Sequence, residues 1–374
     1  MHYLFILGRN IELSKAEVFA YFEKEYNKIL SSSIVENGML VEVLNPIPKG
    51  IIKSLGGVIA IGEVSLKGNA KSIIKELGKK TLYNGKSNKL NYVLWDFCTQ
   101  ESLDLIRRFL KEKFKEEQLK ATEKTIGNLL SMQSEENVRN LSSKKLIDEQ
   151  YFLYEDKELY FGKVSERSDY EEIEKRDMEK PFRRSDLAIS PRLAKIMINL
   201  SLVKRGQKII DPFCGIGVIL QEALLQDIKV TGIDRDKGAI TNARANLEWA
   251  KFVKNNYFIS VGDSRQFNFK DADGMVTEPD MGATLKKEPG EGQLRQTLER
   301  YELLIIDVLN NLKKNVHGRF VFTAPLISKK SKRISCNIGQ ILYKTGLKLV
   351  EGFPIQDYRK NQFVGRDIFV LEKI

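Results

Sequence analysis

The sequence predicts an α/β fold in the second half of the chain and an α+β region in the first half. In the second half, a short apolar strand ends in an acid and a Gly-x-Gly turn at 208–217, and a helical stretch and a further strand follow. Later apolar strands again alternate with helical stretches, as in a parallel sheet. The first 65 residues instead follow a β-α-β-β-α-β order, which is ferredoxin-like.

Composition places the chain among globular proteins with an anionic partner. It has 374 residues, 42% of them hydrophobic and 30% charged, which predicts two or three folded domains rather than disorder. The 61 Lys and Arg residues exceed the 50 Asp and Glu residues, giving a net charge of +11. Nucleic acid fits this surplus best, although charge alone also fits a basic protein with no such partner.

The numbers and spacing of cysteines and histidines disfavour several kinds of metal, disulfide and catalytic site. The three cysteines lie far apart, so the sequence predicts neither a zinc site nor a disulfide framework, and it favours a reducing compartment. With only two histidines, a multi-histidine metal site and histidine-dependent base chemistry are disfavoured, and we expect no metal. No apolar run reaches membrane-spanning length and the first residues lack a signal-peptide layout, so we expect a cytoplasmic protein with no membrane partner.

Hydrophobic periodicity predicts the elements in order. In the first half, the expected strands are 3–7, one around Ile34, 39–44, 57–64, 90–97, 151–154 and 159–164. The expected helices there are 12–22, 51–55, 70–77 and 101–117. Asn37-Gly38 is a hairpin-turn signal between two of the strands. Residues 165–184 are highly charged and poorly periodic, which is typical of a linker.

In the second half, Ser190 is a plausible N-cap with Pro191 at the first helical position. The expected strands are 208–211, 229–234, 258–263, 274–277 and 319–324, with 347–353 and 366–371 as a final antiparallel pair. The expected helices are 189–200, 218–225, 239–250 and 294–312.

The glycine turn predicts a ligand site. Gly215 and Gly217 would let a ligand approach the backbone closely, and Asp234 lies at about the spacing of a ribose-binding carboxylate. Leu220 takes the place of the third glycine of the dinucleotide pattern, and no Gly-Lys-Ser/Thr follows. Asp211, just before the turn, suits a ligand with a cationic, amino-acid-like end. This favours S-adenosylmethionine over a pyrophosphate, and a plain strand-to-helix turn is the alternative.

We expect the cofactor to lie along the strand ends. Asp211, Phe213, Gly215 and Gly217 would line its methionine end, and Asp234 would bond the ribose hydroxyls. Asp263 would accept from the adenine amine, unless it serves only to cap a loop.

Several strings resemble the tRNA guanine N2-methyltransferases, a family with archaeal and eukaryotic branches acting on the guanine at position ten of tRNA. They are 7–14, 141–146, 180–184 (Lys-Pro-Phe-Arg-Arg), 190–194, 211–215 (Asp-Pro-Phe-Cys-Gly) and the Glu278-Pro279 turn. The resemblance implies a ferredoxin-like domain at 1–65, a THUMP-like RNA-binding domain at 66–168, a linker at 169–188 and a Rossmann-like class I methyltransferase domain at 189–374.

The turn after the fourth strand would carry the chemistry. The lone pair of an exocyclic amine is delocalised into the ring, so an acid and a backbone carbonyl must accept its N–H groups and hold the nitrogen toward the methyl donor. The family pattern resembles Asp-Pro-Pro-Tyr-Gly, whereas this chain reads Glu-Pro-Asp-Met-Gly at 278–282. The resemblance implies catalytic roles for Glu278, Pro279 and Asp280. The aromatic residue that would stack on a flipped-out base is replaced by Met281. This departure fits a shifted substrate, an aromatic residue supplied by a different loop, or a protein that binds RNA and cofactor but methylates poorly.

The expected partner is tRNA, held at its phosphates by Arg139, Lys144, Lys145, Arg183 and Arg184, although each could also belong to a solvated charged surface. A small activating subunit, as in the eukaryotic branch, is a further partner that the resemblance allows. Two other functions stay open. One is a DNA adenine or cytosine amino-methyltransferase, and the other is a catalytically weakened RNA-binding protein of the same fold, which the Asp280-Met281 departure favours.

Overall fold

The computed structural model describes residues 1–124, 147–184, 189–282, 285, 287–359 and 362–374. These residues form two compact units. The first unit comprises Met1–Lys15, Tyr26–Lys53 and Gly57–Glu174, and the second comprises Ala16–Glu25, Ser54–Gly56 and Lys175–Ile374.

The described part of the first unit is built on one mixed sheet. Its strands are β1 (His2–Leu7), β2 (Ile29–Val35), β3 (Gly38–Val43), β4 (Val58–Gly68), β5 (Lys89–Phe97), β6 (Lys120–Glu123), β7 (Glu149–Glu155) and β8 (Leu159–Arg167). They lie in the order β2-β3-β1-β4-β8-β7-β5-β6. β4 crosses the expected boundary at residue 65 and pairs with β8, so strands of both expected N-terminal domains share this sheet. The ferredoxin-like and THUMP-like assignments and the domain boundaries stay predictions.

Helices cover this sheet with their apolar faces. Helices α2 (Ala70–Gly78) and α3 (Gln100–Glu116) pack in one core cluster with β5 and β7. In α3 the buried residues Leu103, Ile106, Leu110 and Phe114 recur at helical spacing, which confirms the amphipathic pattern seen in the sequence. The helix begins where Thr99 caps the amide of Ser102.

The hairpin between β2 and β3 turns one residue earlier than the sequence signal suggested. Val35 pairs with Gly38, so Glu36 and Asn37 form the loop, and Glu36 takes a φ of +54°. Gly38 is the first residue of β3. A Cβ there would lie 2.7 Å from the ring of Phe97, so only a glycine fits. Close packing, not turn geometry, therefore explains this glycine.

The segment expected to be a linker is partly helical. Helix α4 (Tyr170–Glu179) has no buried residue, and Asp169 accepts a hydrogen bond from the Glu172 amide at its start. Glu171 and Glu172 lie in the first turn, where acids interact favourably with the helix dipole. This helix lacks an apolar stripe, so hydrophobic periodicity did not predict it.

The second unit has the Rossmann-like sheet that the sequence predicted. Its strands are β9 (Lys208–Asp211), β10 (Lys229–Asp234), β11 (Tyr257–Val261), β12 (Gly274–Thr277), β13 (Phe320–Lys329), β14 (Lys332–Ile334), β15 (Leu347–Leu349), β16 (Ile355–Asp357) and β17 (Val364–Lys373). The order is β11-β10-β9-β12-β13-β17-β15, with β14 beside β13 and β16 beside β17. The first five are parallel, and β17 runs antiparallel to both β13 and β15.

The helices of this unit are α5 (Pro191–Leu200), α6 (Val218–Leu224), α7 (Lys237–Trp249), α8 (Glu291–Leu312) and α9 (Ile338–Thr345). The expected N-cap is confirmed, since Ser190 accepts from the Leu193 amide and Pro191 opens α5. A large apolar core forms where α8, through Tyr301 and Ile305, packs on Phe320 and Phe369 of the sheet. The short elements α9, β6, β14 and β16 were not expected, because each is too short for a clear periodic signal.

Helix α1 (Ile11–Lys24) contributes its C-terminal part, within 16–25, to the second unit. There Lys24 donates to Asn199 at 2.8 Å, and Asn199 donates to Glu17, also at 2.8 Å. Glu17 and Asn199 are fully buried, so these bonds compensate for their loss of hydration. The second unit is therefore built from three separate segments of the chain.

In the described ranges, every helix is too short or too polar to traverse a lipid bilayer.

Candidate active site

A cavity of about 860 Å³ opens at the carboxyl ends of the parallel strands in the second unit. Ligands of open α/β sheets bind at this edge, because the strand order reverses there and leaves a crevice. The lining residues that the sequence had singled out are Asp211, Phe213, Gly215, Asp234, Asp263, Glu278, Pro279, Asp280 and Arg184. Tertiary folding therefore brings residues from 184 to 280 to one place.

Asp211 is the last residue of β9 and is buried. Its Oδ1 accepts hydrogen bonds from Thr277 Oγ1 at 2.6 Å and from the Phe213 amide at 3.1 Å. Burial raises the pKa of Asp211 to about 7, in spite of these bonds and with further help from the charges of Asp234 and Glu278. The carboxyl group can therefore gain or lose a proton near neutral pH.

Asp234, at the end of β10, fixes the glycine loop. Its Oδ2 accepts from the Gly215 amide at 2.9 Å and its Oδ1 from the Asp236 amide at 2.9 Å. Gly215 has a φ of +51°, and a Cβ placed on it would meet no atom within 4 Å. The Asp234 carboxylate thus fixes the loop by hydrogen bonding, while Gly215 borders open space.

Gly217 has a different role from the one its place in the motif suggested. It is not among the lining residues of the cavity. It caps α6 with a φ of +88°, and a Cβ there would lie 3.5 Å from Ala243 of α7. Leu220 stands in place of the third glycine of the dinucleotide pattern. Its side chain packs against Gly232 of β10, where a Cβ would lie only 2.6 Å from Leu220 Cδ1.

Asp263 lies just beyond β11 and is engaged by a neighbouring cation. Arg265 donates to both of its carboxylate oxygens, from Nε to Oδ1 at 2.9 Å and from Nη2 to Oδ2, and its amide donates to Oδ1. The hydrogen bond from the Arg265 side chain lowers the pKa of Asp263 to about 2. A ligand amine at this place would share the carboxylate with Arg265.

Glu278 follows β12 and has an arginine partner that the sequence did not reveal. Arg366 of β17 donates from Nε to Oε1 of Glu278 at 2.5 Å, and Thr323 of β13 lies 3.5 Å from the same oxygen. Burial lowers the pKa of Arg366, but the carboxylates of Glu278 and Asp357 together more than offset this, so the pKa is raised overall. The side chain of Glu278 is only 9% exposed, so the pair forms part of the cavity wall.

The rest of the turn is more open. Asp280 accepts from Arg300 of α8 at 3.2 Å and from the Gly282 amide at 3.0 Å. The Met281 sulfur lies 4.0 Å from Thr323 Oγ1, so this side chain points toward β13. The family's aromatic position is thus occupied by a thioether that lies near β13 and also lines the cavity.

An aromatic side chain nevertheless reaches the cavity. Phe363, just before β17, lines the wall together with Arg366 and is half-buried. It is 81 residues beyond Gly282 in sequence, so no local motif could have pointed to it. Arg366 and Arg300 were missed for the same reason.

The expected RNA-binding residues have separate outcomes. Arg139, Lys144 and Lys145 lie outside the described residues. Arg183 is exposed, and Arg184 at the cavity donates to Asp236 at 2.8 Å. Within the ranges the structure describes, no group of three or more His, Cys, Asp or Glu residues could hold a metal ion.

Comparison with known proteins shows what the second unit is similar to. A family model described as "RMKL-like, methyltransferase domain" matches residues 181–302. The crystal structure of TrmN from Thermus thermophilus aligns over the whole of both chains with a TM-score of 0.56 at 13% identity, which is a likeness of fold alone.

Two archaeal relatives share the name tRNA (guanine(10)-N2)-dimethyltransferase. The one from Pyrococcus abyssi is 28% identical over 347 residues, covering 86% of this chain and 94% of that protein. The one from Methanothermobacter thermautotrophicus is 36% identical over 115 residues, so the chain spans only 34% of that relative and 30% of its own length is aligned. The chain is therefore similar to a methyltransferase-domain family over residues 181–302, and to these archaeal tRNA (guanine(10)-N2)-dimethyltransferases over the aligned residues.

Proposed function

We propose that this protein is an S-adenosylmethionine-dependent tRNA methyltransferase that acts on the exocyclic N2 of a guanine, at position ten of tRNA. The observation that carries the proposal is that Asp211, Asp234, Asp263 and Glu278, each at or just beyond the end of a neighbouring parallel strand, line one cavity. The names of the archaeal relatives supply the substrate.

The cavity fits this cofactor. Open space at Gly215 admits a ligand against the backbone, and Asp211 offers a carboxyl group to a cationic amine. Asp234 keeps lone pairs for ribose hydroxyls while it holds the loop, and Asp263 accepts from an adenine amine beside Arg265. When bound, the cofactor would supply a methyl group from a cationic sulfur and would leave as a neutral thioether.

Glu278 is the hydrogen-bond acceptor for the guanine amine. Its carboxylate holds an N–H of the guanine amine, with a backbone carbonyl of the Pro279 turn on the other N–H, so that the nitrogen lone pair faces the donor. On methylation, Glu278 would take the proton that N2 releases. Arg366 keeps the carboxylate in place before and after this transfer.

Phe363 supplies the aromatic surface that the motif lacks. A flipped-out base needs a stacking partner, and Phe363 is half-buried in the wall that also holds Arg366. Met281 also lines the cavity but has no ring to stack on a base. Asp280 orders the turn through Arg300 and the Gly282 amide.

The protein binds tRNA phosphates through Arg183 and Arg184, with Arg139, Lys144 and Lys145 in an RNA-binding THUMP-like region. We place the activity in the cytoplasm, since the dispersed cysteines suit a reducing compartment. A small activating subunit remains part of this proposal as a further partner.

A catalytically weakened RNA-binding protein is the second candidate. Two observations favour it: Met281 in place of an aromatic residue, and the engagement of Asp263 by Arg265. A DNA amino-methyltransferase is the third, and it shares the chemistry of the turn.

The test is to incubate the purified protein with methyl-labelled cofactor and total tRNA, then identify the labelled nucleoside by mass spectrometry. We expect N2-methylguanosine or N2,N2-dimethylguanosine, and the mass shows how many methyl groups are added. Cofactor binding without transfer would favour the weakened protein. Label that appears only in DNA or in protein would overturn the tRNA assignment.

A further inference from the structure

The Glu278–Arg366 pair presents an anion and a cation side by side in the cavity wall. Arg366 donates through Nε to Glu278 Oε1, and both residues line the cavity. Asp357, its cross-strand neighbour on β16, also attracts the guanidinium. An arginine has five N–H donors, so engagement by two carboxylates still leaves a donor for a ligand.

The Watson–Crick edge of guanine has the complementary pattern. Its N1–H and N2–H groups are adjacent donors and its O6 is the acceptor beside them. A carboxylate accepts from N1–H and N2–H together, and a neighbouring guanidinium can donate to O6. Arginine is the side chain most often found on guanine O6 in nucleic-acid recognition.

We propose that Arg366 is a specificity-determining residue that donates to guanine O6 while Glu278 holds the N1–H and N2–H edge. The inference rests on the proposed function and deepens it by naming how the base is chosen. Adenine places an amine donor where guanine has O6, so it would oppose the guanidinium. Its unprotonated N1 would meet the carboxylate as a second acceptor. Cytosine likewise presents an amine beside an unprotonated ring nitrogen.

The rigid position of the pair supports this reading. Arg366 lies on β17, which pairs with β13 over eight residue pairs. Glu278 directly follows β12, which is itself paired to β13. The guanidinium and the carboxylate are thus fixed by the same block of sheet, as base recognition requires.

The test compares two tRNA transcripts that differ only at position ten, one with guanine and one with 2-aminopurine. 2-Aminopurine keeps the methyl-accepting amine but lacks O6 and the N1 proton. The wild-type protein should prefer guanine in kcat/KM. Arg366→Met should reduce this preference by about tenfold to a hundredfold, the range of one hydrogen bond to a charged donor. Arg366→Lys should restore part of it.

The possible results distinguish base recognition by Arg366 from a failure of the proposed function. If Arg366→Met lowers kcat/KM equally for both transcripts, Arg366 does not distinguish the bases and the proposal is overturned. If the wild-type protein methylates neither transcript, the proposed function itself fails, which is a different result. Arg205→Met serves as a matched control, since Arg205 is 82% exposed and pairs with Asp227 at the surface. Cofactor binding by each variant reports that it is folded.

Discussion

Thr277 donates from Oγ1 to Oδ1 of Asp211 over 2.6 Å, and the two residues end the adjacent strands β12 and β9. Both side chains are buried, so the bond closes the floor of the cavity where the two strands stop. Because burial raises the pKa of Asp211 to about 7, the carboxyl group of Asp211 changes its charge near neutral pH.

Cofactor affinity should therefore depend on pH. The ionised form of Asp211 attracts a cationic amine, and it is lost as pH falls through about 7. We expect the ratio of wild-type affinity to Asp211→Asn affinity to fall toward one by up to about tenfold per pH unit below that value. Calorimetric titration at several pH values measures this ratio and cancels the titration of the ligand itself. A ratio independent of pH between 5.5 and 8 would contradict the role given to Asp211.

The two loop glycines should respond differently to alanine. Gly215→Ala adds a methyl group at the cavity and should weaken cofactor binding with a small loss of stability, about 1 kcal/mol for a left-handed alanine. Gly217→Ala, with a φ of +88° away from the cavity, should lower the free energy of unfolding by about 1–2 kcal/mol and spare binding. Urea unfolding and cofactor titration of both variants decide this. If both variants change cofactor binding and stability to the same extent, the two glycines do not have separate roles.

Glu278→Gln should lower methyl transfer by about a hundredfold or more while cofactor binding stays within about twofold, because the amide cannot take up the released proton. Single-turnover transfer to tRNA measures the first quantity. The control is Glu299→Gln, since Glu299 is an exposed residue of α8 paired with Arg295. Unchanged transfer in Glu278→Gln would remove this residue from the mechanism.

Loss of the aromatic ring at Phe363 should slow transfer without affecting the cofactor. Stacking on a base contributes about 1–3 kcal/mol, so Phe363→Leu should lower kcat/KM by about fivefold to 150-fold. Phe363→Tyr should retain most of the activity, since it keeps the ring. Tyr343→Leu is a suitable control because Tyr343 is 87% exposed on α9. If leucine and tyrosine at position 363 behave alike, no base stacks there.

Binding of tRNA should weaken as salt is added, because phosphate contacts release counterions. Removing the charges of Arg183 and Arg184 together should reduce the slope of log affinity against log salt by up to about two. Arg183 should contribute more of this than Arg184, whose charge is offset by Asp236 at 2.8 Å. Filter binding at several salt concentrations measures the slope, and a slope near zero for the wild-type protein would exclude a phosphate-driven interface.

Local sequence was sufficient for the elements with strong periodicity. The strand ending at Asp211, the helix capped by Ser190 and the amphipathic helix through Leu110 form where they were expected. The two helices depend on interactions between residues a few positions apart, whereas the strand is marked by its short apolar run although it pairs with distant strands. Helix α4 and the turn at Glu36 and Asn37 were missed or displaced, because the first lacks an apolar stripe and the second is set by the packing of Gly38 on Phe97.

By itself, the sequence determined the acids at the strand ends and the glycine loop between them, since the parallel sheet brings its carboxyl ends together whatever the loops do. Only the tertiary structure decided the partners of those acids. Arg366 reaches Glu278 from 88 residues away, and Gly217 serves the helix instead of the cavity. The physical reason is that charge pairing and close packing depend on distances in space, which chain spacing does not encode.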